Sequence, residues 1–218
     1  MIFIDLKKAF DTIDHTILIR KFREYDVDSC SLKWFESHLC DRNQNCSTNG
    51  HLSNTVPVTC GVPQGSNRGP LLFLVYINDL PNCLTSASPT IFADDTTITF
   101  AASTMTDLED AVNLELRNLQ RWLITNRLSL NIAKTEFLVI GSKQPIHALS
   151  NNQIDIEIDG KSIKKVKEAK LQYPFIDGHL SWTKHIEEIS KISSAIGALK
   201  RMRPFISETN LLFKSTKR

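Results

Sequence analysis

Three aspartates stand where their chemistry is readable. Asp5 closes the apolar run Ile2-Phe3-Ile4, and Asp94-Asp95 sits between two apolar stretches that read as strands. A carboxylate at a strand end, among residues that must be buried, loses hydration; its charged form is disfavoured unless a cation offsets the loss. Mg²⁺ is suited to this, because it takes carboxylate oxygens and keeps positions open for substrate phosphates. Two such ions about 3.5–4 Å apart can clamp the attacking and leaving oxygens of a phosphoryl transfer. Two adjacent strands could gather all three carboxylates. Taken alone, however, Asp94-Asp95 reads more simply as a polar hairpin turn.

The elements that would position these residues follow from periodicity and punctuation. Residues 2–6 read as a buried strand. Asp14 opens a helix with Ile17, Leu18, Phe22 and Tyr25 at three-to-four spacing, and Asp28 or Ser29 caps a second helix containing Leu32, Phe35 and Leu39. Asn49-Gly50 marks a hairpin between residues 43–48 and 54–60, and Asp159-Gly160 marks another. A Gly/Pro-punctuated loop, 61–70, leads into an apolar helix over 70–80 that Pro81 ends. A strand–turn–strand spans 90–100 with Asp94-Asp95 at its turn. An amphipathic helix over 106–128 carries Leu108, Val112, Leu116, Leu119 and Leu123 on one face. Residues 135–140 read as a strand, and 183–203 as a last amphipathic helix stopped near Pro204. The order predicts α+β, a small antiparallel sheet backed by helices.

Composition bounds the rest. The 218 residues, 41% hydrophobic and 23% charged, fit one large globular domain and exclude wholesale disorder. No apolar run approaches the roughly 18–20 residues of a membrane span, and the N-terminus lacks the shape of a secretory signal. The net charge of +2 is unevenly distributed. Residues 1–140 carry 12 Lys+Arg against 16 Asp+Glu, and residues 141–218 carry 14 against 8. The basic group Lys161, Lys164, Lys165, Lys167 and Lys170 could face a polyanion; a solvated charged face is the plainer reading. Cys30, Cys40, Cys46, Cys60 and Cys83 are odd in number and irregular in spacing, which points to free thiols in a reducing compartment rather than a disulfide framework or a zinc site.

Four segments in order resemble the reverse transcriptase domain of non-LTR (LINE- and jockey-like) retrotransposons. FIDLKKAFDTIDH, residues 3–15, resembles motif A; GVPQGSNRGPLLFLVYINDLP, 61–81, motif B; FADDTTI, 92–98, motif C; and LSLNIAKTEFLVIG, 128–141, motif D. The resemblance covers about residues 2–200. It implies a right-hand polymerase palm over 1–141, a hairpin and primer-grip-like region over 142–182, and partial thumb helices over 183–218. It also implies a chain that begins at motif A, with the family's fingers and endonuclease missing and its thumb truncated.

What the resemblance implies for single residues is specific. Asp5, Asp94 and Asp95 would be catalytic and hold two Mg²⁺ or Mn²⁺ ions, Asp95 being the second carboxylate of motif C; Asp11 and Asp14 are weaker candidates, and Asp14 reads better as a helix N-cap. Phe10 would block the 2′-hydroxyl of ribonucleotides. Gly61, Pro63, Gln64 and Gly65 would form the loop under the incoming nucleotide and template base. Lys134 would protonate the leaving pyrophosphate. Tyr173 stands in the primer-grip segment, LQYPFIDGHLSW, and the lysines from 161 to 170 would track duplex backbone. The implied partners are an RNA template, a DNA primer and dNTPs, with no membrane; the implied location is intracellular, in nucleus or cytoplasm. The chain departs from the family at Asn67-Arg68, where two apolar residues are usual. It departs again at Pro174-Phe175, where Leu-Gly is usual and where a proline is expected to distort the hairpin. The competing readings are a catalytically inactive retrotransposon remnant that at most binds nucleic acid, and a metal-dependent nuclease, which leaves Phe10 and the Gln64 loop without a role.

Overall fold

A computed structural model describes residues 1–63, 65, 67–141, 154–171 and 174–202. Five helices cover α1 His15–Glu24, α2 Ser29–Leu39, α3 Gly69–Ile77, α4 Met105–Thr125 and α5 Thr183–Met202. The main strands are β1 Ile2–Ile4, β2 Ser88–Phe92, β3 Asp95–Thr99, β4 Glu136–Phe137, β5 Lys164–Lys165, β6 Glu168–Lys170 and β7 Phe175–Asp177. One sheet runs β5-β4-β1-β3-β2; only the β5–β4 pair is parallel. β6 and β7 form a separate antiparallel hairpin. The expected α+β class, with an antiparallel-rich sheet and helices, is what the chain forms.

β1 is central. Its Ile2 and Ile4 are almost fully buried and pack in one core with Ile98 of β3, with Val112, Leu116, Leu119 and Leu123 of α4, and with Leu72, Phe73 and Tyr76 of α3. Phe22 of α1 belongs to the same core and stacks on Phe35 of α2, ring centroids 4.3 Å apart. Asp14 caps α1 by accepting the Ile17 N–H at 3.0 Å, and Asp28 caps α2 by accepting from Cys30 and Ser31. Tyr25, expected on the apolar face of α1, is instead its exposed C-cap.

Two expected element boundaries move. The apolar helix stops at Ile77 rather than 80, and Pro81 starts no break: it lies early in a 3-10 turn, Leu80–Cys83, where no proline N–H is needed. The strand expected over 135–140 shrinks to Glu136–Phe137, because its partner β1 offers only three residues to pair with. Both hairpin turns form. Asn49 and Gly50 have φ +48° and +78°, Asp159 and Gly160 +54° and +65°, the left-handed values that a two-residue turn of this kind needs. The Asn49-Gly50 arm, Ser47–Thr48 with His51–Leu52, is wholly exposed.

Two buried charges tie helices together. The Lys21 ammonium, almost unexposed, donates to the Tyr76 carbonyl and to Asp79 Oδ1, both at 2.5 Å, joining α1 to the end of α3. Burial pushes the Lys21 pKa down, against the pull of Asp79. Glu115 of α4 accepts the Thr85 and Ser86 backbone N–H groups and both hydroxyls at 2.6–2.9 Å, fixing the approach to β2. α5 packs only lightly, against β7; none of its residues is buried, and Ile186, Ile192 and Leu199 are each about three-fifths exposed. No described helix is long and apolar enough to cross a membrane.

Burial alone would push the Glu115 carboxyl up, but its four donors outweigh that and hold it at about 2, below the ordinary 4.5. A depressed carboxyl contributes stability that is complete above pH 4.5 and is lost as pH falls toward 2. Urea unfolding followed by circular dichroism should therefore show Glu115→Gln less stable than the parent by about 2 kcal/mol at pH 7. The difference should shrink at pH 3, and a constant difference across that range would refute this account.

Candidate active site

The site starts from strand register. Ile2, Phe3 and Ile4 of β1 face Ile98, Thr97 and Thr96 of β3, so the next step along the ladder brings Asp5 level with Asp95. On the other side of β3, Phe92 pairs with Asp95, which leaves Ala93-Asp94 as the two-residue turn. Ala93 adopts φ +52°, an uncommon conformation for a residue with a side chain. Asp94 alone occupies the tip; Asp95 opens β3. The expected turn of two aspartates is therefore a turn of one.

That one-residue offset separates the carboxylates. Asp5 and Asp94 line a cleft of about 550 Å³ with Leu6, Phe10, Asn131 and Lys134. Asp95 lines a smaller cavity of about 80 Å³ with Phe3, Thr90, Thr97 and Lys170. The charges still sense one another: burial, then Asp94, then Asp5, raise the Asp95 pKa. Among the described residues no three His, Cys, Asp or Glu side chains converge on a single point that could hold an ion. The donor set nevertheless fits Mg²⁺, which is commonly held by one or two carboxylates and completes its shell with water and substrate phosphate. Asp5 and Asp94 on one open cleft supply that pair.

Lys134 reaches the cleft on a turn clamped to the backbone around Asp5. The Asn131 N–H donates to the Asp5 carbonyl at 2.8 Å, and the Lys7 N–H donates to the Ser129 carbonyl at 2.8 Å. Thr135, wholly buried, donates its hydroxyl to the Asn131 carbonyl at 3.0 Å and accepts the Asp5 N–H at 3.4 Å. Sequence reasoning missed Thr135, because a threonine beside a strand reads as an ordinary β-former. It also missed Asn131, Lys7 and Lys8 as walls of the cleft.

Phe10 belongs to both core and cleft: it packs on Phe73 with ring centroids 4.9 Å apart and lines the carboxylate cleft. Gly61 is constrained by backbone rather than by an open ligand space. Its φ is +84°, its N–H donates to Ile13 O at 2.8 Å, and a Cβ there would lie 2.8 Å from the Asp11 carbonyl oxygen. Its own carbonyl meets His15 Nε2 at 2.7 Å. The expected close approach of Gly61 is thus to the motif A backbone. Gly61 and Pro63 line a second cleft of about 610 Å³ with Asp11, His15, Arg42 and Gln44; Asp11 is a wall of both clefts. Gly65, φ +77°, is exposed, with open space where a Cβ would stand. Gln64 and Tyr173 lie outside the described residues.

Of the basic group, Lys170 comes nearest the carboxylates, on the wall of the Asp95 cavity and 5.9 Å over the Phe175 ring. Lys164 pairs with Glu136 at 2.8 Å, while Lys161, Lys165 and Lys167 are exposed. The expected distortion at Pro174 is not seen in the described pairs. β6 and β7 run in regular register from Glu168↔Asp177 to Lys170↔Phe175, because Pro174 falls in the loop and offers its carbonyl to the Leu171 N–H at 2.8 Å.

The model of the family described as reverse transcriptase (RNA-dependent DNA polymerase) matches residues 1–177, so α5 lies beyond the match. The chain is 24% identical over 196 residues to the RNA-directed DNA polymerase from mobile element jockey of Drosophila melanogaster, covering 87% of this chain and 21% of that protein. It is 27% identical over 203 residues to the probable RNA-directed DNA polymerase from transposon BS of the same species, again 87% and 21%. It is 26% identical over 202 residues to the retrovirus-related Pol polyprotein from type-1 retrotransposable element R1 of Bradysia coprophila, covering 91% of this chain and 19% of that protein. The chain spans about a fifth of the length of these relatives.

Gly61→Ala tests the contact between the two motifs. The added methyl meets backbone that cannot swing aside and must hold a left-handed φ. Thermal or urea unfolding should show a loss of more than about 1 kcal/mol, whereas Gly65→Ala, with open space around it, should lose less. Equal losses at the two positions would contradict the Asp11 contact.

Proposed function

The chain belongs to the reverse transcriptase (RNA-dependent DNA polymerase) family, and from that we propose that it carries the catalytic palm and part of the thumb of a mobile element's RNA-directed DNA polymerase. One observation carries this reading. Asp5, Phe10, Asp94 and Lys134, drawn from three separate motifs, line one cleft. The proposed palm covers 1–141, the primer-grip-like region 142–182, and the partial thumb 183–218.

In the proposed reaction the 3′-hydroxyl oxygen of a DNA primer, paired to an RNA template, attacks the α-phosphorus of a dNTP. The bond to pyrophosphate breaks as the new P–O bond forms. Asp5 and Asp94 would hold Mg²⁺ or Mn²⁺, with Asp95 adding negative potential from its own side of the turn. Two such ions, when bound, lower the pKa of the 3′-hydroxyl and neutralise charge on the reacting phosphate. Lys134, on its clamped turn, would give a proton to the departing pyrophosphate. Phe10 is braced by Phe73 from behind, which suits a wall against a ribose 2′-hydroxyl. Gly61 and Pro63 would seat the loop bearing Gln64 and Gly65 against motif A. Tyr173 and the lysines 161, 164, 165, 167 and 170 would meet duplex backbone, with Lys170 the nearest to the carboxylates. The exposed free thiols Cys30, Cys40, Cys46 and Cys60 favour a reducing compartment, nucleus or cytoplasm.

The purified chain should extend oligo(dT) on poly(rA) with dTTP and Mg²⁺ or Mn²⁺, and Asp94→Asn should abolish extension. No extension by a folded chain would instead support an inactive remnant that only binds nucleic acid. Phe10→Val should raise the incorporation of rUTP relative to dTTP at least tenfold, about 1.4 kcal/mol of lost discrimination; an unchanged ratio would remove Phe10 from that role.

A further inference from the structure

A second group of residues, away from the carboxylates, has the composition of a nucleic-acid contact. Trp34 of α2 is 44% exposed, yet it is braced on several sides. The Arg68 guanidinium carbon lies 4.5 Å from its ring centroid. The His38 ring lies nearly parallel to it, at 9° and 5.1 Å. Phe35 meets it edge-on at 5.1 Å and is itself stacked on core Phe22. The indole is therefore a fixed plane with a cation beside it.

Arg68 replaces an apolar residue that the family resemblance leads one to expect, and an exposed cation–π contact is worth only about 0.5–1 kcal/mol to a fold. Among the described residues neither Arg68 nor Arg42 forms an ion pair, whereas Arg23 pairs with Glu36 of the same α2 at 2.8 Å. His38 Nε2 is buried with no hydrogen-bond partner among the described residues. Burial, then the charges of Arg42 and Arg68, lower the His38 pKa. Unpaired cations beside fixed aromatic planes match a ligand that has phosphates and flat bases together.

Arg42, whose charge acts on His38, leads from the cluster to the clefts. Arg42 lines the second cleft with Gly61 and Asp11, and Asp11 lines the carboxylate cleft with Asp5 and Asp94. We propose that Trp34, Arg68 and His38 form a stacking platform for unpaired nucleotides of single-stranded nucleic acid, the strand then passing Arg42 toward the carboxylates. A base stacks on the exposed Arg68–Trp34 surface, and the guanidinium meets a neighbouring phosphate. The direction of the strand rests on the polymerase reading above; the stacking platform itself does not.

The test is binding of the full chain to a fluorescein-labelled oligo(rU) of about 15 nucleotides, without metal or dNTP, followed by fluorescence anisotropy over a salt series. Trp34→Ala should weaken binding at least about fivefold, and Trp34→Phe should recover most of the loss. Arg68→Ala should weaken binding and reduce the slope of log affinity against log salt by about 1. Because this assay contains neither metal nor dNTP, loss of extension and loss of this platform are separate results. Parent-like affinity of a folded Trp34→Ala chain, or no oligo(rU) binding by the parent, overturns the proposal. If Trp34→Ala fails to fold by circular dichroism, Arg68→Ala decides, and parent-like affinity there overturns it.

Discussion

Like charges do not gather unaided, and the site depends on overcoming that repulsion. Asp5, Asp94 and Asp95 lie close enough that, after burial, Asp94 and then Asp5 raise the pKa of Asp95. What holds them is backbone. β1 is hydrogen-bonded on both edges, to β3 and to β4, so the position of Asp5 is set by two ladders rather than by a loop. The β2–β3 ladder runs to Phe92↔Asp95 and leaves a turn so short that Ala93 must take a left-handed φ. Thr135 adds a side-chain tether from the Lys134 turn to the Asp5 amide. Each contact is modest, on the order of 1 kcal/mol, but together they over-determine where two carboxylates stand.

The division between the two clefts follows from the same geometry. A hairpin that places one aspartate at its tip and the next in its strand sends the two side chains to different surroundings. Asp94 shares open space with Asp5, Phe10 and Lys134, while Asp95 turns toward Phe3 and Lys170. Gly61, fitted against Asp11, then brings a second cleft alongside the first. Asp11, in the connection from β1 to α1, is the wall that the two clefts share.

Much of this was legible in the chain, and the rest failed for identifiable reasons. Asp14 and Asp28 as caps, and Asn49-Gly50 and Asp159-Gly160 as turns, are local matters of a few dihedral angles, and local rules predict them. Asp5 and Asp94 stood out as carboxylates at the ends of apolar runs, whereas Phe10 and Lys134 were singled out only by the resemblance to the reverse transcriptase family. The separation of Asp95 was not visible, because a one-residue choice of turn reverses the facing of every residue after it. Thr135 and the partner of Gly61 depend on contacts between segments remote in sequence, which no period reveals. Pro174 misled because its effect depends on whether it falls in strand or loop, whereas the last helix, read from its apolar period over 183–203, forms over Thr183–Met202.

The wiring of β1 also orders events during synthesis. Ile2 pairs with Ile98 on one side and Phe137 on the other. At ribosomal rates those partners emerge roughly 5–30 s after the strand itself. Through that interval Ile2-Phe3-Ile4 lacks the partners of both its ladders, a state that invites wrong pairing and chaperone capture. Nonlocal ladders of this kind close late and slowly. The carboxylates consequently stay apart until residues 94–98 have emerged, and their repulsion is met only when the β1–β3 ladder is ready to oppose it.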